Sequence, residues 1–422
     1  MHVLIIPSEE FVPAKQPLAG IFQYHQAVIL NEANYTVGVI SVSQEFSVFM
    51  FIKAICFKCF KIKTGNSLDH LSFKGLLQLA YKKIFKPLDF LRIENLNGIE
   101  VFRIEGMYYL PPSIYNNIFG WINAGLVAYD AYVKKMGRPD IIHAHNALYA
   151  GILAAKIKAK YNVNYIITEH STFFARDIIK KKSLIRLVAN SYKNAEGAFA
   201  VSQPFCDLLS AKFIKTNFSY LPNVIDPLLE KEEYGSKAIS ENEFVFLNIA
   251  ELHPKKNQQL LIRAFAELSW KVKNLKLYLW IAGEGVEHDN LNNLINVLGV
   301  QESVRLLGVL DRKQIVDSIL KSNCLVLSSN FETFGVVLIE ALLFGKPVIS
   351  TKCGGPEGFI NAEVGMLVEK EDEKKLSSIM HKMVIEYKRF NQDKLREFAI
   401  SEFGKEKFLK RIDSIYINSK AV

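Results

Sequence analysis

The chain has 422 residues, half of them apolar and 23% charged, which is room for two or three domains with the balance of a soluble globular protein. Five cysteines, an odd number, argue against a disulfide framework, and no apolar run approaches the roughly 20 residues that span a bilayer. The net charge of +9 is uneven: residues 1–230 carry 25 Lys and Arg against 17 Asp and Glu, the rest 27 against 26. An anionic surface or substrate met by the first half is one reading of that excess, and a solvated basic face is the other.

In chain order, "MHVLIIPSEE" has no basic region ahead of its short apolar run, so a signal peptide is not expected and a cytoplasmic protein starting at Met1 is. "HVLIIP" reads as a buried strand, "GIFQYHQAVILNEA" as a helix and "YTVGVISV" as a second strand. Residues 44–95 fit less well. "FSVFMFIKAICFKCFKIK" mixes aromatic and aliphatic residues with Lys53, Lys58, Lys61 and Lys63. Its two readings are an element lying on an anionic membrane surface, from Phe46 to Lys63, and an ordinary packed helix. Cys56 and Cys59 form a single C-x-x-C without a second pair at zinc spacing, and apolar packing is the better reading.

Strand-like "PDIIHAHN", helical "ALYAGILAAKIKAKY", and the strands "VNYIITEH", "AEGAFAVS" and "FSYLPNVID" continue the alternation. His143 and His145 share one face of their strand, but no carboxylate or cysteine nearby completes a metal-ligand set. Arg176 and Lys180 to Lys182 follow "VNYIITEH" and read equally well as a substrate-facing or a solvated charge run. Residues 226–243 are polar and lack periodicity, as a linker does. Beyond them strands and helices alternate again, from "FVFLNIA" to "GMLVE".

This pattern predicts an α/β chain of two doubly wound, Rossmann-like domains. The first spans residues 1–228, a linker 229–243 and the second domain 244–400. A C-terminal helix, 401–422, has the option of crossing back to the first domain. Ligands are expected at the carboxyl ends of the strands, in a cleft between the two domains.

The most informative stretch is "SSNFETFGVVLIEALLFGKPVISTKCGGPE". Glu332 lies in the predicted loop and Glu340 about one turn inside the predicted helix. Thr333, Phe334 and Gly335 would form the helix N-terminus, whose free N–H groups favour a diphosphate. Both carboxylates are expected to face the cleft rather than the core.

E-x7-E followed by "ALLFGKPVIS" and "GGPEG" resembles the retaining glycosyltransferases of family 4, the group 1 enzymes of the GT-B fold. "PLAGIF", "PDIIHAHN", "TEHST", "AVSQPF", "LPNVID", "LLIRAF" and "AGEG" fall in the family's order, so the resemblance covers nearly the whole chain. It implies transfer of a sugar, with retention, from a nucleotide-diphosphate sugar to a glycan or lipid-linked acceptor. It implies no cofactor, no metal and no nucleic acid. The second domain would bind the donor and the first the acceptor.

By this resemblance Glu332 contacts the donor sugar, Glu340 the ribose hydroxyls and Lys256 the diphosphate. Gly283 and Gly285 let the backbone pass close to the nucleotide, Gly20 lies in the loop facing the phosphates, and His170 lies near the donor sugar. One position departs from the pattern. Many members have an arginine five residues before the lysine, where this chain has Glu251. An acid there either points away or is compensated by a cation such as Lys255. Two rivals share parts of the pattern: a GT-B nucleotide-sugar epimerase, and a noncatalytic nucleotide- or membrane-binding partner.

Overall fold

The structure is a computed structural model that describes residues 1–13, 20–47, 52–54, 56, 71–108, 118–234, 240 and 242–420. Pro17 to Ala19, and Phe57, Lys58, Cys59, Lys61 and Lys63 of the basic aromatic stretch, lie outside the described residues. The chain divides into two compact units.

The first unit is built on an eight-stranded sheet. In chain order its strands are β1 (His2–Pro7), β2 (Thr36–Ser47), β3 (Leu91–Leu96), β4 (Ile99–Tyr108), β5 (Ile141–His145), β6 (Tyr165–Glu169), β7 (Gly197–Ala200) and β8 (Phe218–Tyr220). Their spatial order is β3-β4-β2-β1-β5-β6-β7-β8. Residues 3–6 of β1 and every residue of β5 and β6 are buried, as strands covered by helices on both faces must be. The β3–β4 hairpin is antiparallel and is absent from the sequence reading. Its turn is Asn97-Gly98, with φ of 50° and 86°, the Asn-Gly signature of a tight hairpin.

The second unit carries a six-stranded parallel sheet: β9 (Glu243–Ile249), β10 (Lys276–Ala282), β11 (Val304–Gly308), β12 (Cys324–Leu327), β13 (Val348–Thr351) and β14 (Gly365–Val368). Their order, β11-β10-β9-β12-β13-β14, is the dinucleotide-fold order 3-2-1-4-5-6, with its reversal between β9 and β12. At that point successive connections leave on opposite faces of the sheet, and the loops after β9 and β12 lie side by side at its carboxyl edge.

Three boundaries differ from the sequence reading. The second unit takes in Val201–Leu209 and starts its long run at Tyr220. The predicted linker is folded at its start: Leu229 is buried in a short 3-10 turn, Arg396 donates to the Glu230 carbonyl, and the Glu230 carboxylate accepts from Lys405 N. The C-terminal helix runs from Lys405 to Lys420, and from Arg411 on it clusters with the first unit.

That last segment is held by chemistry rather than by proximity. Tyr416 is fully buried, its hydroxyl 2.9 Å from His143 Nδ1, and Tyr35 hydrogen-bonds Asp413 at 2.5 Å. Lys420 pairs with Asp140 at 2.8 Å. Tyr416→Phe should cost about 1 kcal/mol through the lost hydrogen bond, and Tyr416→Ala about 3–5 kcal/mol through the cavity. Denaturant melts of the two variants check this; equal losses would mean that the ring is not what anchors the helix.

Candidate active site

Each loop at the reversal of the second sheet is fixed by local chemistry. After β9 the chain passes through Glu251 and Leu252 into a 3-10 turn, Pro254–Lys256, and then the helix Gln258–Lys271. Asn257, at φ 50°, ends the turn and caps the helix through Leu260 N. After β12 the chain runs through Ser328, Ser329, Asn330 and Glu332 to the helix Val336–Leu343.

The two loops are stitched together. Asn330 N donates to the Lys255 carbonyl at 2.8 Å, and Ser328 Oγ to the Lys256 carbonyl at 3.0 Å. Lys256 Nζ lies 2.5 Å from Glu332 Oε1, which also accepts from Ser329 Oγ at 2.8 Å. Lys256 and Glu332, given to the diphosphate and the sugar by sequence, thus meet each other across the reversal. Their side chains are 18% and 14% exposed.

Glu332 is held from the other side by the Gly-Gly-Pro-Glu turn. Its N–H donates to Cys353 O at 2.9 Å, and its carbonyl accepts from Gly355 N at 2.8 Å. A Cβ on Gly355 would fall 2.3 Å from Phe334 N, and one on Gly354 2.7 Å from the Glu332 carbonyl. These glycines are required for the turn to seat on the loop.

The helix begins later than its sequence suggests. Gly335, at φ 91°, occupies the N-cap position, and Val336 is the first helical residue. Thr333 and Phe334 precede it, and the Phe334 ring is buried against Phe359 and Phe403. A ligand at this terminus can meet Phe334 through its backbone but not through its ring.

Glu340 is the fifth residue of that helix, and its side chain is only 9% exposed. Arg312 donates to Glu340 Oε1 at 2.9 Å and to Asp226 Oδ2 at 3.2 Å. Burial pushes the Glu340 carboxyl above its ordinary range, and the guanidinium opposes that. Both glutamates, expected to face a cleft and not the core, have little access to solvent, and each is paired to a cation.

Gly283 and Gly285 follow β10 at φ 141° and 155°. Cβ atoms there would lie 2.0 Å from the Ala250 carbonyl and 2.2 Å from the Leu252 carbonyl. The chain itself demands glycine here, because the β10 loop packs on the β9 loop backbone to backbone. Glu251 is half-exposed and pairs with Lys255 at 3.2 Å, so the acid where an arginine is common does meet a neighbouring cation.

In the first unit Gly20, at φ 68°, is the N-cap of the helix Ile21–Glu32. His170 follows β6, its Nε2 2.9 Å from His145 Nδ1, while its N–H donates to Asn146 Oδ1. His143 and His145 stack with centroids 4.2 Å apart. Burial lowers the first to about 3 and the second well below the usual imidazole range. Among the described residues no group of three or more His, Cys, Asp and Glu side chains is arranged to hold a metal.

Sequence reasoning missed Arg312, Asp226, Ser329 and the buried Glu169. Asp226 sits inside the quoted "LPNVID" but was given no role. Arg312 carries no local signal, since its partners lie 28 and 86 residues away.

Residues 95–227 match Glycosyltransferase Family 4, and residues 230–399 match Glycosyl transferases group 1. The N-acetyl-alpha-D-glucosaminyl L-malate synthase of Bacillus anthracis is 27% identical over 303 residues, covering 68% of this chain and 76% of the relative. The alpha-monoglucosyldiacylglycerol synthase of Streptococcus pneumoniae is 25% identical over 68% of each chain. Among solved structures, Anabaena HepE in complex with UDP superposes with a TM-score of 0.66 at 18% identity, covering 98% of this chain and 99% of the other. The chain belongs to the group 1, family 4 glycosyltransferases of the GT-B fold, and its activity is glycosyl transfer.

Glu169 gives a testable pH dependence in the first unit. It is fully buried and accepts from Ala147 N, Ser171 N and the Tyr192 hydroxyl, yet burial raises its carboxyl to about 7. A carboxyl raised on folding binds its proton more tightly in the native state. The stability it contributes is complete below about pH 4.5 and is lost as pH rises through about 7, roughly 3 kcal/mol in all. Glu169→Gln should flatten the fall in melting temperature between pH 5 and 8. An unchanged slope in the variant would assign the dependence to other groups.

Proposed function

We propose that this protein is a retaining glycosyltransferase that moves a sugar from a nucleotide-diphosphate donor to a glycan or lipid-linked acceptor in cell-surface polysaccharide or glycolipid synthesis. It would need neither cofactor nor divalent metal. The observation that carries the reading is the Lys256–Glu332 pair at the reversal of a 3-2-1-4-5-6 sheet, the place where such sheets take nucleotides. The Anabaena neighbour is solved in complex with UDP, which suggests a donor class, and the pneumococcal relative's name describes a glycolipid product.

In this reading Lys256 takes the diphosphate as a point charge. The N–H groups after Gly335 face it, and Gly283 and Gly285 lie beside the nucleotide. Glu340 accepts the ribose hydroxyls, while Glu332, released from Lys256, contacts the sugar. In the first unit Gly20 and His170 keep the roles their family counterparts have. The acceptor hydroxyl attacks the anomeric carbon on the face the diphosphate leaves. The bond from that carbon to the phosphate oxygen breaks, and the hydroxyl proton passes to the departing phosphate. Charge growing on that oxygen is what Lys256 and the helix N-terminus would stabilise, the electrostatic contribution that usually dominates.

The test combines three readouts on one reaction. NMR of the product should show the donor's anomeric configuration retained, turnover should survive chelation and dialysis, and Glu332→Gln should lower kcat with little change in donor KM. Inversion, or activity restored only by a divalent ion, would overturn the mechanism. Epimerised donor formed without acceptor would favour the epimerase reading.

An anionic membrane surface is the proposed setting. Phe46–Lys63, for which a membrane contact is one of two sequence readings, lies mostly outside the described residues, but the described helix Phe73–Phe85 supports the same partner. It turns Leu76 and Lys83 inward, with Lys83 paired to Glu105 at 2.5 Å. Phe73, Leu77, Tyr81 and Phe85, at four-residue spacing, are 47% to 67% exposed. Exposed Lys74, Lys82 and Lys86 flank them. No helix among the described residues is long and apolar enough to cross a membrane. The protein should sediment with phosphatidylserine vesicles at low salt and less so at high salt. Leu77→Glu with Phe85→Glu should abolish most of that binding, and wild type left in the supernatant would refute the contact.

A further inference from the structure

Arg312 is the first residue of the helix Arg312–Leu320, whose N-cap Asp311 forms a capping box with Gln314. A cation at a helix N-terminus opposes the helix dipole. A local choice that runs against its helix points to a demand from elsewhere in the fold. Here that demand is visible: one terminal nitrogen of Arg312 donates to both Glu340 and Asp226, 2.9 and 3.2 Å away. The Arg312 side chain is itself 37% exposed, while those of its two acids are 9% and 10% exposed. Glu340 uses only Oε1 in that bond.

We propose that Arg312 is a positioning residue for donor binding, anchored by Asp226, that keeps Glu340 ionised and aimed so that its remaining lone pairs accept the ribose hydroxyl pair. This rests on the reading of Glu340 as the ribose ligand. A vicinal diol brings two donors, and a carboxylate can accept both. A protonated carboxyl turns one acceptor into a competing donor. Burial and the nearby Asp226 charge both push Glu340 toward that neutral form, and Arg312 is the group that opposes them. Among the described residues, Arg312 and Asp226 are the charged groups that act on Glu340.

The experiment follows donor KM and kcat, and calorimetric binding of UDP, GDP and ADP, from pH 6 to 9. Wild type should show a flat donor KM across this range. Arg312→Gln should raise donor KM about tenfold at pH 6.5 with kcat little changed, and part of the loss should return as pH rises and Glu340 ionises. Arg312→Lys should rescue partially, because it restores the charge without the guanidinium's reach. Glu340→Gln should weaken binding equally at every pH, and adding Arg312→Gln to it should cost little more.

An Arg312→Gln variant that binds like wild type, or is weakened with no pH dependence, overturns the proposal while Glu340→Gln still supports the ribose reading. If Glu340→Gln binds all three nucleotides as wild type does, the ribose reading itself fails, and the proposal with it.

Discussion

Lys256 and Glu332 form an ion pair with little access to solvent, and each end belongs to a different loop of the sheet's reversal. The pair closes a circuit that backbone bonds have already begun, since the Lys255 and Lys256 carbonyls accept from Asn330 and Ser328. Removing one member of such a pair leaves the other charge largely buried, which costs more than the pair itself contributes. The loops after β9 and β12 are therefore held in one register by the residues given to the ligand. A diphosphate that takes up Lys256 must also provide for Glu332. The hydroxyls of a sugar are donors suited to that carboxylate, whereas a bare phosphate offers it no comparable partner.

The glycines of this site show why position and reason are different things to read from a chain. Gly283 and Gly285 are legible as nucleotide-loop glycines, and so is the Gly-Gly of the turn after β13. In the fold each of the four sits where a Cβ would strike backbone of an adjacent loop, at 2.0 to 2.7 Å. Close approach between loops is what lets four strand ends, those of β9, β10, β12 and β13, converge within one unit. Any closeness to a ligand is built on that packing, so an alanine at these positions would disturb the scaffold before it touched a substrate.

Most of the alternation was open to view because strands buried on both faces are short unbroken apolar runs between helical segments. "HVLIIP", "FVFLNIA" and "LKLYLWIAGEG" all became central strands. The β3–β4 hairpin is less legible, because β3 has no buried residue and so no unbroken apolar run, and only Asn97-Gly98 marks it. The helix after Glu332 was drawn three residues too long, since Thr-Phe-Gly reads as a helix start until Gly335 is seen at positive φ and Phe334 in the core. Of the site, the sequence offered the carboxylates and the lysine but not their pairings. Pairings are facts of tertiary distance: Arg312 reaches residues 28 and 86 positions away, and no local period encodes that.

Charge distribution follows from the same logic. The last 192 residues carry almost no net charge, although their fold is one that receives a dianionic group. Within the site the cations are already matched: Lys256 with Glu332, Lys255 with Glu251, and Arg312 with Glu340 and Asp226. A unit arranged this way does not attract anions through an excess field, as a basic patch does. On the proposed reading it would admit an anion by exchange of partners, and exchange favours a ligand that carries donors for the displaced carboxylates along with its phosphates. A nucleotide sugar has both, with hydroxyls on the ribose and on the transferred sugar. Under the proposed function, the pairing of each cation with a carboxylate would make the site selective for the whole donor rather than for its charge.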